Sequence, residues 1–140
     1  MNIKISTFAD RVNGLVTALV ESDGRVLKSR VTEFMGTNIK DNAIEAVTSG
    51  LRLVKGIVKH DDLLIVEVQN QHLASWISGR VEYKDYDTLL DKLFEVLESI
   101  DCRYKVVCVP NSYAKQFGLT NGVTKKEYTS VENLLGDLEG

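Results

Sequence analysis

The chain has 140 residues, of which 44% are hydrophobic and 26% charged, a composition typical of a single globular domain. No apolar run reaches the roughly 18 residues of a membrane-spanning helix, so we expect no membrane partner. A net charge of −3 at pH 7 and a pI of about 5.4 argue against a strongly basic nucleic-acid-binding protein, although a local basic patch stays open.

The N-terminus and the cysteines both favour a cytoplasmic protein. Residues 1–6 alternate like a strand and lack the charged and then apolar pattern of a signal peptide. If Cys102 and Cys108 share one strand, they lie about 20 Å apart, well beyond the roughly 7 Å between Cα atoms that a disulfide tolerates. We therefore expect two buried thiols in a reducing compartment.

The first 34 residues predict an antiparallel meander of three strands. Apolar and polar residues alternate over 3–9, and a second strand covers 15–21. Asp23-Gly24 is a dipeptide favoured in tight primed turns, and alternation resumes over 26–34 in a third strand.

Helices alternate with apolar strands through the rest of the chain. Apolar residues recur every three or four positions over 39–58, which predicts a helix with Thr37 or Asn38 as its cap. Gly50 inside this helix predicts close packing against the sheet. The other predicted elements are a strand over 63–68, a helix over 71–78, a helix from Asp85 or Asp87 to Ile100, a strand over 103–109, a helix from Asn111 or Ser112 through Phe117 that Gly118 ends, a loose extended segment over 123–129, and a last short helix that Ser130 caps.

This order of elements predicts an α/β fold. Alternation of helices and strands after a meander implies right-handed crossovers to parallel strands. We therefore predict one domain over residues 1–140, with a mixed five-stranded sheet, an antiparallel meander followed by parallel strands, and helices on both faces. We expect residues 118–140 to form a C-terminal extension with a short helix.

Residues 63–73 are where we expect a functional site. A nearly continuous apolar strand, typical of one buried on both faces, opens into polar residues from Glu67 to His72. Ligands of open α/β sheets bind beyond the carboxyl ends of strands, so the floor of a site is expected here. Trp76, spaced like the apolar residues beside it, is predicted to lie in the core.

Two acidic residues stand in a recognisable order along these elements. Asp10 ends the first strand, and Asn42 precedes Glu45 by three residues in the first helix. With the elements in this order, residues 3–117 resemble the ribonuclease H family, which has an aspartate and a glutamate at these positions. The resemblance implies a fold in which carboxylates hold two Mg²⁺ ions that hydrolyse a phosphodiester.

The third and fourth acidic positions depart from the family. Counting back from Leu73 puts Gln69 at the family's aspartate and Asn70 at the serine that follows it. Lys115 follows Ala114 where the family has a second aspartate. Two of the four anionic ligands are therefore missing and one position carries a cation, so the resemblance implies a depleted site in which Gln69, Asn70 and Lys115 contact the substrate.

Glu67 offers a substitute ligand. Strand side chains alternate, so Glu67 faces the same side as Gln69 and is expected to hold a single Mg²⁺, or Mn²⁺ in its place, with Asp10 and Glu45. Each carboxylate also has an ordinary structural explanation. Asp10 begins a turn, where aspartate is common because its side chain bonds nearby backbone amides. Glu45 would lie on the solvated face of its helix. Glu67, in an apolar strand, would form an ion pair with Lys or Arg.

Three functional hypotheses follow. The first is a ribonuclease H-like protein of nucleic-acid metabolism whose catalytic activity is absent or weak. It would bind an RNA–DNA hybrid, a single strand or another protein of nucleic-acid metabolism. Compact members of this kind would be expected in phage or mobile-element genomes. The second is an active Mg²⁺- or Mn²⁺-dependent ribonuclease H that uses Asp10, Glu45 and Glu67 to cleave RNA paired to DNA. The third is a structural or inhibitory module whose sheet edge or residues 118–140 dock on a protein, which the acidic pI favours.

Overall fold

The structure is a computed structural model, and it describes residues 2–10, 14–34, 39–79, 88–121 and 127–128. In chain order its elements are β1 (Asn2–Asp10), β2 (Leu15–Ser22), β3 (Arg25–Glu33), α1 (Ile39–Val54), β4 (Leu63–Val68), α2 (Gln71–Ile77), α3 (Thr88–Glu98), β5 (Arg103–Cys108), α4 (Tyr113–Asn121) and β6 (Glu127–Tyr128).

One mixed sheet organises the fold, with its strands in the order β5-β4-β1-β2-β3-β6. β1, β2 and β3 pair in antiparallel fashion, whereas β4 runs parallel to β1 and β5 runs parallel to β4. This arrangement confirms the predicted five-stranded sheet, an antiparallel meander followed by parallel strands. The two-residue β6 adds an antiparallel sixth strand beside β3.

The turn between β2 and β3 follows from its sequence. Asp23 has φ 53° and Gly24 has φ 74°, so both central residues are left-handed, as a type I′ turn requires. This turn matches the right-handed twist of the paired strands, which explains why the predicted hairpin forms here.

Helices cover both faces of the sheet, as predicted. α1 packs on the face of β1 that carries Ile5 and Thr7, and α3 packs beside α1. α4 covers the opposite face, where the Ala114 N–H donates a hydrogen bond of 3.1 Å to Ser6 Oγ. The main core lies between the sheet and α1, and its largest fully buried side chains include Ile3, Ile5, Ile44, Leu51, Leu64 and Leu93.

Two glycines lie where a helix approaches the sheet too closely for a larger side chain. A methyl group added at Gly50 would collide with the Ile5 side chain, which confirms the predicted close packing of α1. A methyl group at Gly118 would collide with Thr17 Oγ1. The helix continues to Asn121, so the predicted helix end at Gly118 is wrong. Gly118 instead lets α4 lie close to β2.

Other element boundaries differ from the prediction or lie outside the described residues. α1 ends at Val54 rather than at residue 58, in a turn where the N–H groups of Ile57 and Val58 both donate to the Val54 carbonyl. The predicted caps at 37 and 38, the predicted start of α3 at 85 or 87 and the predicted helix from 130 fall outside the described ranges. Within those ranges, no helix is both long and apolar enough to cross a membrane.

Candidate functional site

The carboxyl ends of β1 and β4 lie side by side at one edge of the sheet. The parallel register pairs Ser6 with Glu67, so the last residues of both strands approach the same edge. α2 starts at this edge, immediately after β4. The polar residues after β4 are therefore held between the central strands and a helix, as their position at the end of a buried strand predicts.

Gln69 joins the ends of the two strands. Its Oε1 accepts a hydrogen bond of 2.6 Å from the Ala9 N–H, and its Nε2 donates one of 3.3 Å to the Ala9 carbonyl. The side-chain amide thus continues the pairing of β4 with β1 beyond the last backbone pair. An aspartate could not do this, because an ionised carboxylate only accepts hydrogen bonds.

Asn70 is the N-cap of α2. Its backbone is extended, with φ −138° and ψ 154°, and its Oδ1 accepts a hydrogen bond of 2.8 Å from the Leu73 N–H. Asparagine is among the preferred residues for this cap because its side-chain oxygen satisfies an N–H with no partner in the helix. The cap fixes where α2 starts and therefore where the side chains on its first two turns lie.

A groove of about 510 Å³ opens at this edge and is lined by Lys40, Gln69, Asn70, His72 and Trp76. The Lys40 Nζ lies 5.4 Å from the centre of the Trp76 ring, and the ring centres of His72 and Trp76 are 6.3 Å apart. Cations within about 6 Å of an aromatic face are attracted by the ring electrons. The groove therefore combines two aromatic rings with a cation and two amides.

Trp76 and Lys40 are site residues that the sequence did not predict. Trp76 was expected in the core, and it does pack against core residues, but it is only half-buried and also forms a wall of the groove. The available signal was the spacing of His72 and Trp76, since residues four apart lie on the same side of a helix. Lys40 gave no signal, because its approach to Trp76 depends on how α1 and α2 pack.

Lys115 lies on the α4 side of the sheet. Its Nζ is 5.5 Å from the centre of the Phe8 ring and donates a hydrogen bond of 3.0 Å to Asn111 Oδ1. Lys115 and Asp10 line a narrow cleft together with Phe8. The structure therefore brings the predicted cation close to the first predicted carboxylate.

Glu67 forms an ion pair with a lysine, as its ordinary structural explanation predicts. The Lys4 Nζ lies 3.9 Å from Glu67 Oε2 and 3.7 Å from Glu21 Oε2. The side chains of Glu67 and Glu21 are only 14% and 12% exposed, so Lys4 is shared between two largely buried carboxylates. Burial, with a further contribution from nearby Glu67, raises the pKa of Glu21, while Lys4 acts in the opposite direction.

The three carboxylates predicted as metal ligands do not form a cluster within the described ranges. Glu67 lies on the face of the sheet that carries Ser6 and α4, whereas Glu45 belongs to α1 on the other face. Asp10 is the last residue of β1. Lys4, which forms the ion pair with Glu67, lies six residues earlier in the same strand. No group of three or more His, Cys, Asp or Glu side chains within the described ranges could hold a metal ion. The structure therefore does not gather the three predicted ligands into one site.

No protein-family model matches the chain, and no curated protein sequence matches it. Solved structures of ribonucleases H are similar in fold. The N-terminal ribonuclease H domain of a Mycobacterium tuberculosis protein, solved as a fusion with maltose-binding protein, has a TM-score of 0.66 and 14% identity over 79% of this chain and 88% of that one.

Two further structures give the same result. A type 1 ribonuclease H from the halophilic archaeon Halobacterium salinarum has a TM-score of 0.60 and 19% identity. The LC11 type 1 ribonuclease H, solved in complex with an RNA/DNA hybrid, has a TM-score of 0.58 and 14% identity. Each alignment covers 79% of this chain and 85% of the other. At these identities the likeness shows the fold alone, and the chain has the ribonuclease H-like fold that its order of elements predicts.

Proposed function

We propose that this protein binds nucleic acid at the carboxyl edge of β1 and β4 and is a non-catalytic or weak member among ribonuclease H-like proteins. The observation that carries the proposal is the groove lined by Lys40, Gln69, Asn70, His72 and Trp76. Aromatic rings beside cations and amides suit nucleic acid, because bases stack on rings while lysines neutralise phosphates.

The fold supports a nucleic-acid ligand at this edge. One of the structurally similar proteins, the LC11 type 1 ribonuclease H, was solved with an RNA/DNA hybrid. In open α/β sheets, ligands bind beyond the carboxyl ends of the strands. We therefore assign the same class of ligand to this chain, as an RNA–DNA hybrid or a single strand.

The local charge also supports the proposal despite the net charge of −3. Lys40 lines the groove on the α1 side, and Lys115 lies at the same edge of the sheet on the α4 side. Nucleic-acid affinity depends on the few cations that meet phosphates rather than on the total charge of the protein. Two lysines at one edge are enough for a weak, salt-sensitive contact.

The chemistry of three side chains supports the proposal of weak or absent catalysis. Two-metal hydrolysis needs several carboxylates around a pair of cations. Gln69 is neutral and bonded to Ala9, Glu67 is paired with Lys4, and Lys115 is a cation at an edge where metal ions would have to bind. A single Mg²⁺ or Mn²⁺ held by Asp10, Glu45 and Glu67 stays a prediction, as do a phage or mobile-element origin and a cytoplasmic location.

Fluorescence anisotropy of labelled oligonucleotides tests the proposal. A single strand, a DNA duplex and an RNA–DNA hybrid are titrated with the protein at about 50 and about 200 mM salt. We expect binding that weakens steeply with salt, and we expect Lys40→Gln and Lys115→Gln each to lower the slope of log affinity against log salt by about 1.

Lys92→Gln is the matched control, because this exposed lysine lies on α3 and lines a different cleft. It removes the same charge from the protein and should leave the salt slope unchanged if the contacts are local. Absence of binding by all three nucleic acids at the lower salt would reject the proposal and favour a protein partner.

A further inference from the structure

We infer that Trp76 is the stacking platform for an unpaired base, so that the groove takes single-stranded nucleic acid in preference to blunt duplex. This inference rests on the proposed function and specifies its ligand. Three features support it: the setting of Trp76, the chemistry of the groove and the size of the space.

Trp76 has the setting of a rigid platform. The side chain is half-buried and packs against the main core, while the rest of it lines the groove. Its helix is held at the N-terminus by the Asn70 cap and anchored by the buried Leu73 and Ile77. A ring fixed in this way loses little conformational freedom when a ligand stacks on it.

The side chains of the groove suit a nucleotide, which has a flat base and a negatively charged phosphate. Among its described lining residues are two aromatic rings and the Lys40 cation, and none of them is a carboxylate. His72 lies beside Trp76 with the two rings inclined at 41°, and the Lys40 Nζ lies over the Trp76 ring. A nucleobase can contact the rings while its phosphate approaches the lysine.

The size of the space favours an unpaired base. A volume of about 510 Å³ lies within the range of about 300–1,000 Å³ typical of small-molecule sites. A base inside a duplex is already stacked on both faces and must be extruded, at a cost of a few kcal/mol, before it can present a face to a protein ring. A base in a single strand meets no such cost.

The two amides at the groove are held by the protein backbone. Gln69 bonds to Ala9 through both ends of its amide, and Asn70 Oδ1 is used in the cap of α2. These bonds hold each amide in one orientation, so neither side chain can rotate to match the edges of different bases. We therefore expect stacking to dominate, with similar affinity for oligo(dT) and oligo(rU) and only modest sequence preference.

Trp76 is the only tryptophan of the chain, so its emission reports on the platform directly. The unlabelled full-length protein is titrated with oligo(dT), with oligo(rU) and with a blunt DNA duplex, and tryptophan fluorescence is recorded. In parallel, anisotropy of labelled copies of the same oligonucleotides measures binding. We expect both single strands to quench Trp76 at the concentrations at which they bind, and the duplex to bind at least tenfold more weakly.

Two substitutions separate stacking from packing. Trp76→Leu should lower single-strand affinity on the order of ten- to a hundredfold, the loss expected when a stacked base loses its ring. Trp76→Phe keeps a ring and should bind within about threefold of the wild type. Circular dichroism melting checks both variants, and if Trp76→Leu does not fold, the fluorescence of the wild type and the affinity of Trp76→Phe decide the matter.

The outcomes distinguish this inference from the proposed function. Single strands that bind by anisotropy without changing Trp76 emission would overturn the platform and leave nucleic-acid binding standing. Equal affinity for the blunt duplex would also overturn it. Failure of every oligonucleotide to bind at low salt would instead reject the proposed function itself.

Discussion

The side-chain amide of Gln69 is bonded at both ends to the backbone of Ala9, with the Ala9 N–H donating to Oε1 at 2.6 Å and Nε2 donating to the Ala9 carbonyl at 3.3 Å. This pairing occupies the gap between the ends of β1 and β4. It also explains why a neutral residue is suited to a position where the ribonuclease H resemblance asks for an aspartate. A carboxylate there would place negative charge against the Ala9 carbonyl oxygen.

Gln69→Glu tests this pairing with little change in shape. The introduced carboxylate can still accept from the Ala9 N–H but faces the Ala9 carbonyl with an acceptor instead of a donor. We expect the free energy of unfolding in urea at pH 7 to fall by about 1–2 kcal/mol. The loss should shrink at low pH, where the protonated carboxyl group can donate a hydrogen bond again.

Gln71→Glu is the matched control for that substitution. Gln71 is exposed and is the first residue of α2, where a negative charge interacts favourably with the helix dipole. The same chemical change should therefore leave stability unchanged or raise it slightly. An equal loss in the two variants would mean that added charge, and not the Ala9 pairing, causes the effect.

Gly50→Ala tests the close approach of α1 to β1. Alanine gains about 1 kcal/mol in helix propensity over glycine, but its methyl group would collide with the branched side chain of the fully buried Ile5. Overpacking of a core typically costs about 1–3 kcal/mol. We expect a net loss of stability and a lower melting temperature by calorimetry.

Gly56→Ala provides the comparison, because a methyl group added at Gly56 meets nothing within 4 Å. Its effect should stay within about 0.5 kcal/mol, as for an ordinary surface substitution. A stabilised Gly50→Ala variant would show that the space beside Ile5 is larger than the structure indicates.

Glu21→Gln tests the carboxylates that share Lys4. Burial raises the pKa of Glu21 above its ordinary value of 4.5, so the folded state binds this proton more tightly than the unfolded state does. By linkage, Glu21 makes the protein more stable as the pH falls from the folded pKa toward 4.5, and this stabilisation is lost as the pH rises through the folded pKa.

The measurement is urea unfolding at a series of pH values from about 4 to about 7. Glu21→Gln should remove the loss of unfolding free energy that Glu21 causes as the pH rises. At neutral pH it should change stability by less than about 1 kcal/mol, because Lys4 keeps Glu67 as its partner. Glu98→Gln, at an exposed position of α3, is the control. An unchanged pH profile in Glu21→Gln would contradict the assignment.

Local sequence determines the parts of the fold that were predicted correctly. Asp23-Gly24 favours left-handed backbone wherever it occurs, and both residues have positive φ in the turn. The apolar run of β4 and the polar residues that follow it predict a strand end and a helix start, and both are present in the structure. Gly50 in an otherwise good helix predicted close packing, which the contact with Ile5 explains.

The features that were missed depend on contacts between distant segments. Gly118 has the local character of a helix end, and only its position against Thr17 shows why α4 continues past it. Trp76 has the spacing of a core residue, and its second role depends on Lys40 from another helix. The pairing of Gln69 with Ala9 needs the register of two strands that lie 60 residues apart in sequence.

The most direct test of the account uses one labelled RNA–DNA hybrid that carries a single-stranded overhang, incubated with the wild type and with Asp10→Asn in excess Mn²⁺. Binding is followed by anisotropy and cleavage by denaturing gel in the same samples. We predict that both proteins bind the hybrid and that both leave it intact. Cleavage by the wild type that Asp10→Asn abolishes would contradict the account, because it would mean that the carboxylates assemble a working metal site.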